Sequence, residues 1–212
     1  MCIRDSYKAT AEDYSAFEIY QGAELAGNVE WSLIGAHNAS NALAAILLAK
    51  HAGVPIAQAA TSLATFKGIK RRLEMRGDIN GVCVYDDFAH HPTAITTTLK
   101  GLRARVKDQR IIVVFEPRSN TMQMGVHKKT LGPSFDQADE VFVYESASLG
   151  WDLAGMETRG NLRAAQSIEE LVSSVSSIAR AQDHIVVMSN GGFGGLHDKL
   201  LDALATNRES EI

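Results

Sequence analysis

From Val82 onward, short apolar runs alternate with stretches of helical spacing. Residues 82–85, 111–115, 141–144 and 185–188 are runs of four or five residues dominated by valine, isoleucine and aromatic side chains, the mark of strands buried on both faces. Between and after them the pattern predicts four helices. One opens at Pro92 and extends to about Val106. A second lies around Lys128 to Gln137, where Gly132-Pro133 interrupts or displaces it. A third runs from the capping box Ser167-Ile168-Glu169-Glu170 to about Arg180, and the last spans residues 197–205. Alternation of this kind predicts an α/β fold whose mainly parallel, Rossmann-like sheet is flanked by helices.

The chain before Val82 reads differently. Residues 17–20 and 29–33 form a weakly alternating pair joined by a glycine-containing link, which predicts a β-hairpin. An apolar helix follows, over residues 42–49, with Asn38 as a plausible N-cap and Gly53 as its stop. Pro55 suits the first turn of a second helix running to about Phe66, so the two make a helical hairpin. Residues 68–72, Gly-Ile-Lys-Arg-Arg, read as a linker. The opening Met-Cys-Ile-Arg-Asp-Ser is polar and patternless, and is not expected to be a natural start.

Composition narrows the function classes. The chain has 212 residues, 45% of them hydrophobic, with 21 basic and 25 acidic side chains mixed along it. No basic stripe stands out, so nucleic acid is not an expected partner. No apolar run approaches the roughly 18 residues that span a bilayer, so no membrane partner is expected either. Cys2 and Cys83 form neither a disulfide framework nor a zinc spacing, which fits a reducing cytoplasm.

Polar clusters fall at the predicted carboxyl ends of the strands, where open parallel sheets bind ligands. Asp86-Asp87-Phe88-Ala89-His90-His91-Pro92-Thr93 is the densest. An acid there can accept a ribose hydroxyl, and a histidine can bond a phosphate or cap the following helix; a polar turn is the plain alternative. Zinc is disfavoured because no third ligand has suitable spacing, so no metal ligand is assigned. Glu116-Pro117-Arg118-Ser119-Asn120-Thr121 offers a cation and three hydrogen-bonding side chains suited to a carboxylate-rich peptide, or simply a polar loop that caps the next helix. Asn190-Gly191-Gly192-Phe193-Gly194-Gly195 lacks the spacing of a dinucleotide fingerprint, and its glycines suit close backbone approach to a substrate or a tight turn. Asn38 and Asn41 share a helix face, where an amide can match the adenine edge or merely cap. Lys70-Arg71-Arg72 can clamp phosphate or be a solvated charge run.

Taken together these motifs resemble the Mur ligase family of peptidoglycan enzymes. Gly35-x-His37-Asn38-x-x-Asn41-Ala42-Leu43 is similar to the end of the family's central ATPase domain, and Arg71-Arg72-Leu73-Glu74 to its domain junction. Asp86 to Thr93 is similar to the segment that opens the C-terminal domain. The resemblance implies two parts, residues 1–74 from the central ATP-binding domain and residues 75–212 forming the substrate-binding domain. It implies nucleotide contacts by His37, Asn38, Asn41, Arg72 and Asp87, and a catalytic neighbourhood at His90 and His91. It also implies peptide contacts by Arg118, Ser119, Asn120, Thr121, Asn190, Gly191, Gly192, Phe193 and Gly194. The implied reaction is ATP-dependent amide formation through an acyl phosphate, joining UDP-N-acetylmuramate to the murein tripeptide L-alanyl-γ-D-glutamyl-meso-diaminopimelate. Two alternatives are a branch that adds single L-alanine and a non-catalytic nucleotide- or peptide-binding module. No Gly-x-x-x-x-Gly-Lys-Ser/Thr loop is present, so the ATP phosphate loop and the Mg2+ ligands are expected upstream and the chain is expected to be an incomplete fragment.

Overall fold

A computed structural model describes residues 5–153, 156 and 158–206. They fall into two compact units. One contains the residues up to Gly68 together with Lys100–Lys107, and the other contains Ile69–Leu99 and the residues from Asp108 on.

The first unit is a three-stranded antiparallel sheet with helices. β1 (Asp5–Ala9), β2 (Ala16–Gln21) and β3 (Glu24–Glu30) lie in that order. Phe17, Ile19 and Val29 are buried on one face, where Ala39, Ala42 and Ile46 of α1 (Ala36–His51) and Ile56 and Ala60 of α2 (Ile56–Ser62) close a small core. Gly27 allows the close approach of α2: a Cβ there would lie 3.2 Å from that of Ala60.

Three expectations are corrected in this unit. β3 is shifted from the expected residues 29–33, because the turn falls at Gly22, whose φ of 65° suits a hairpin. Asn38 is not the N-cap of α1. Gly35 occupies that position at φ 92°, a conformation that favours glycine, and the Asn38 amide instead donates to the Ile34 carbonyl at 2.8 Å. The helix after Pro55 ends at Ser62 and tightens into a 3₁₀ turn, Leu63–Thr65, rather than continuing to Phe66.

The second unit is built on a six-stranded sheet. β4 (Glu74–Ile79) runs antiparallel to β5 (Val82–Asp87). β9 (His184–Met188), β6 (Ile111–Phe115), β7 (Glu140–Tyr144) and β8 (Asn161–Ala165) follow, all parallel to β5. The chain leaves β5 through α3 (Pro92–Val106), bypasses the central position to form β6, and returns last to fill that position with β9. The α/β reading with a mainly parallel sheet therefore holds.

β6 and β9 are buried at every residue, which is why, His184 at the start of β9 apart, their sequences are apolar runs. Val84, Ile112, Val114, Ile185 and Val187 line one face. Leu171 and Val175 of α6 (Ile168–Ile178) and Leu196, Leu200 and Leu204 of α7 (Leu196–Thr206) join the same core. Each such side chain contributes roughly 1.5–3 kcal/mol when fully buried. On the other face Phe115 meets Phe135 edge-on at 5.4 Å.

Ser167 caps α6 as expected, its hydroxyl accepting from Glu170 N at 3.0 Å. Glu170 reaches back to Gln166 N, one residue beyond the usual box. The helix ends at Ile178, short of Arg180. The helix expected around Lys128 to Gln137 is α5 (Lys128–Ser134), which holds Pro133 within it and ends short of Gln137; a separate single turn, α4 (Asn120–Gln123), precedes it.

Candidate functional site

The carboxyl ends of β5, β9 and β6 are level. Asp87 pairs with Met188, and Met188 with Phe115. One residue further on, Ser189 N donates to Asp87 O at 3.1 Å and Glu116 N to Met188 O at 3.0 Å. The three polar clusters of the second unit thus leave the sheet side by side, with the 189–195 loop between the other two. The chain's late return to β9 creates this switch point in the strand order, where ligands of such sheets are bound.

Residues of the β5 end pack around Phe88. The Arg72 guanidinium lies 5.4 Å from the Phe88 ring centre and that of Arg71 5.2 Å, within cation–π range. The His90 ring meets Phe88 edge-on at 5.1 Å. Arg72 itself is exposed. Asp87 is turned inward and only 3% exposed. Its Oδ2 accepts from Leu73 N and its Oδ1 from Ala89 N, both at 2.7 Å. Burial pushes its pKa above the usual aspartate value, while the two backbone bonds and the Arg72 charge pull against the rise. The carboxylate braces the linker against β5, and each oxygen keeps a further lone pair for a ligand hydroxyl.

The two adjacent histidines differ in tautomer when neutral. Nδ1 of His90 faces the Phe88 carbonyl at 2.9 Å, so it carries the proton and leaves Nε2 as an acceptor. Nδ1 of His91 accepts from Thr93 N at 3.3 Å, so its Nε2 carries the proton. The His91 ring also meets His127 at 4.5 Å. The pair therefore presents one acceptor and one donor.

Arg118 and the glycine loop come together. A Cβ on Gly191 would lie 1.5 Å from Arg118 Nη1 and 2.6 Å from its Cζ, so the guanidinium occupies the space that any side chain there would fill. Ser119 caps α4, accepting from Met122 N at 3.4 Å, and its hydroxyl lies 3.3 Å from that of Thr121. Asn120 and Thr121 are exposed in the first turn. In the glycine loop, Oδ1 of Asn190 is buried without a hydrogen-bond partner, a group a ligand donor would satisfy. Gly192 is exposed, with open space around it, and Gly194 sits at φ 57° beside Ile168. Phe193 is 2% exposed and joins the α6–α7 core, so any ligand contact it makes is through its backbone.

Three residues at these strand ends escaped the sequence reading. Glu116 accepts a short hydrogen bond from the Ser189 hydroxyl, which in turn accepts from Gly191 N at 2.9 Å. Arg71 reaches the carbonyls of Ser189 and Gly191. Glu116 and Arg71 belong to the Glu116–Thr121 and Lys70–Arg72 clusters, yet nothing in their spacing marks them as struts for a loop some seventy and more residues away.

In the first unit, His37 and Asn41 are exposed one turn apart on α1 and Asn38 is half-buried. The His37 ring folds back over Gly35, where a Cβ would lie 2.7 Å from its Cε1.

The family model described as "Mur ligase, glutamate ligase domain" matches residues 71–191, more than half of the chain. The chain belongs to the Mur ligase family. It is 50% identical over 206 residues to the UDP-N-acetylmuramate–L-alanyl-γ-D-glutamyl-meso-2,6-diaminoheptandioate ligase of Escherichia coli strain K12, covering 96% of this chain and 45% of that protein. The ligase of the same name from Haemophilus influenzae is 45% identical over 195 residues, with 91% and 43% covered. Among solved structures, a murein peptide ligase from Psychrobacter arcticus superimposes with a TM-score of 0.68 at 40% identity, covering 94% of this chain and 44% of that one. This Mur ligase chain spans a little under half the length of those relatives. Among its described residues no helix is long and apolar enough to cross a membrane, and no group of three or more His, Cys, Asp or Glu side chains could hold a metal ion.

Proposed function

We propose that this chain is the nucleotide-closing and peptide-holding part of an ATP-dependent ligase that joins UDP-N-acetylmuramate to L-alanyl-γ-D-glutamyl-meso-diaminopimelate in the cytoplasm. Residues 1–74 belong to its ATP-binding domain and residues 75–212 form its substrate-binding domain. The observation that carries the reading is the seating of Arg118 on Gly191 at the switch point of the sheet. A guanidinium seated over a bare backbone turn, with the side-chain Oδ1 of Asn190 beside it in sequence, offers both a fork of donors for a carboxylate and an acceptor for an amide or ammonium. A peptide rich in carboxylates and carrying a free amine matches that pairing.

In the complete reaction the muramate carboxylate oxygen attacks the γ-phosphorus of ATP, releasing ADP and forming an acyl phosphate. The L-alanyl amine then attacks the carbonyl carbon, the amide bond forms, and inorganic phosphate and a proton leave. Phosphoryl transfer rests on positioning and charge neutralisation. Arg72 brings an exposed cation suited to phosphate. His37, Asn38 and Asn41 supply donors and acceptors for the adenine edge, and Asp87 an acceptor for ribose. His90, whose neutral ring offers Nε2 as an acceptor, and His91, whose neutral ring offers Nε2–H as a donor, serve the incoming amine and the phosphate in this reading. Magnesium would supply charge neutralisation to ATP when bound, and the described residues contain no group of three or more His, Cys, Asp or Glu side chains that could hold it. Arg118, Ser119, Asn120, Thr121 and the backbone of Gly191, Gly192, Phe193 and Gly194 hold the peptide.

Two measurements test this. Isothermal titration calorimetry on the 212-residue chain should detect the tripeptide and not L-alanine. A chimera carrying the upstream part of the Escherichia coli relative should form UDP-N-acetylmuramoyl-tripeptide from ATP, read by mass spectrometry. Binding of L-alanine in preference to tripeptide, or a folded chimera that makes no product while the parent enzyme does, overturns the assignment.

A further inference from the structure

Arg71 stands at the start of the second unit in a left-handed conformation, φ 59°, which few non-glycine residues adopt. Its backbone and side chain are tied in several directions at once. Its N–H donates to Glu74 Oε2 at 2.7 Å, and its carbonyl accepts from Phe88 N at 2.9 Å. Nε lies 3.4 Å from a carboxylate oxygen of the buried Asp86. Nη2 donates to the carbonyls of both Ser189 and Gly191 at 2.7 Å. The far side of the same loop is held by Glu116 through the Ser189 hydroxyl. Gly191 in turn lies beneath Arg118.

We infer that Arg71 is a positioning residue for the peptide-holding loop: by clasping the carbonyls of Ser189 and Gly191 it makes the linker's conformation set the height of Gly191 and so the seat of Arg118. Two carbonyls that converge on one nitrogen, with a carboxylate on the neighbouring nitrogen, demand a planar group with several donors in fixed directions. Guanidinium provides it, whereas an ammonium provides a compact charge on a flexible stem. The linker and the loop therefore move as one piece. Residues 71–73, with left-handed Arg71 and Leu73, cannot relax to extended backbone without withdrawing the clasp.

The inference rests on the proposed peptide-binding role of the loop, and its test separates the two. Arg71→Ala and Arg71→Lys are made in the 212-residue chain. Amide hydrogen exchange is read at residues 189–195, with α6 as an internal reference, and tripeptide binding is read by calorimetry. In Arg71→Ala the loop should exchange faster while α6 is unchanged. Tripeptide binding should weaken by about tenfold or more, the scale of one lost charge-assisted bond, and methylguanidinium added to the buffer should restore part of it. Arg71→Lys should fall between, and it carries the test should Arg71→Ala fail to fold. Unchanged loop exchange in a folded variant overturns the inference, as does faster exchange with tripeptide affinity kept within about twofold. A wild-type chain that does not bind tripeptide sinks the functional reading alone, since the exchange comparison still decides whether Arg71 holds the loop.

Discussion

Arg118 and Gly191 share one volume: the guanidinium nitrogen Nη1 lies 1.5 Å from where a Cβ on residue 191 would be. The atom in the way is the far end of a flexible side chain, so Gly191→Ala would be relieved by Arg118 swinging aside rather than by movement of the sheet. Residue 191 has no left-handed φ, so alanine brings no backbone strain of that kind. Unfolding free energy should therefore change by less than about 1 kcal/mol, while tripeptide binding falls. Urea titration and calorimetry on the same preparation check both halves. A large stability loss would show that the loop, and not Arg118, resists the methyl group.

Asp87 faces inward, and its two oxygens each take a backbone N–H. Asp87→Asn keeps one acceptor and points an NH2 group at the other donor. Leaving a buried N–H unsatisfied costs about 1–3 kcal/mol, so thermal unfolding should move down accordingly. The pH dependence has a definite sign. Burial raises the native pKa above the ordinary value of about 3.8, so this group's stabilising contribution is fully present below that value. It is lost as pH rises through the raised native value. Carboxyl-carbon NMR should find Asp87 titrating above the exposed aspartates, and the asparagine variant should lack that component of the stability profile.

Much of the second unit was legible because its strands are buried on both faces and their side chains declare it. Ile111, Val113 and Val186 are fully buried. The strands that escaped notice, β1, β4 and β8, all lie at sheet edges. An edge strand answers to one neighbour and to solvent, so Glu74-Met75-Arg76-Gly77-Asp78-Ile79 carries no apolar run to betray it. The strand-end clusters were legible for the same reason in reverse: polar residues directly after buried strands stand out. The contacts among them were not, because the pairing of Arg71 with Gly191 depends on β9 returning between β5 and β6. No spacing along the chain encodes that return. Asparagine is a favoured cap type, which points to Asn38, while the feature that decides the cap is the conformation of Gly35.

His197 is 6% exposed and its Nε2 lies 3.3 Å from Asp86 Oδ1, yet the angle does not make a hydrogen bond. A buried ring without a well-aligned acceptor gains little from protonation. Burial lowers its pKa, Asp86 opposes this, and Arg76 and Arg71 push the same way as burial, with Asp198 opposing. A base with a depressed native pKa stabilises the fold fully above its unfolded value of about 6.5 and loses that contribution as pH falls through the native value. Stability measured by urea unfolding should therefore drop as pH is lowered from about 7 to 5. His197→Gln should flatten that part of the curve. An equally steep curve in the variant would place the acid sensitivity elsewhere.

Gly35 is constrained twice over, which allows the two causes to be separated. Its φ of 92° favours glycine, and a Cβ would lie 2.7 Å from Cε1 and 2.8 Å from Nδ1 of His37. Gly35→Ala should destabilise the first unit by the backbone cost of an extended positive-φ conformation (φ 92°, ψ 142°) that glycine alone adopts readily, about 1–3 kcal/mol, plus the cost of displacing the ring. His37→Ala in the same chain removes the ring but leaves the backbone cost, so the double variant should recover only part of the loss. Trp31 belongs to this unit, packing edge-on to Phe17 at 5.6 Å. Its fluorescence, read in a Trp151→Phe background, reports the unfolding. Full recovery in the double variant would mean that the ring clash alone selects glycine. No loss in Gly35→Ala would mean that the backbone before α1 is not held at positive φ.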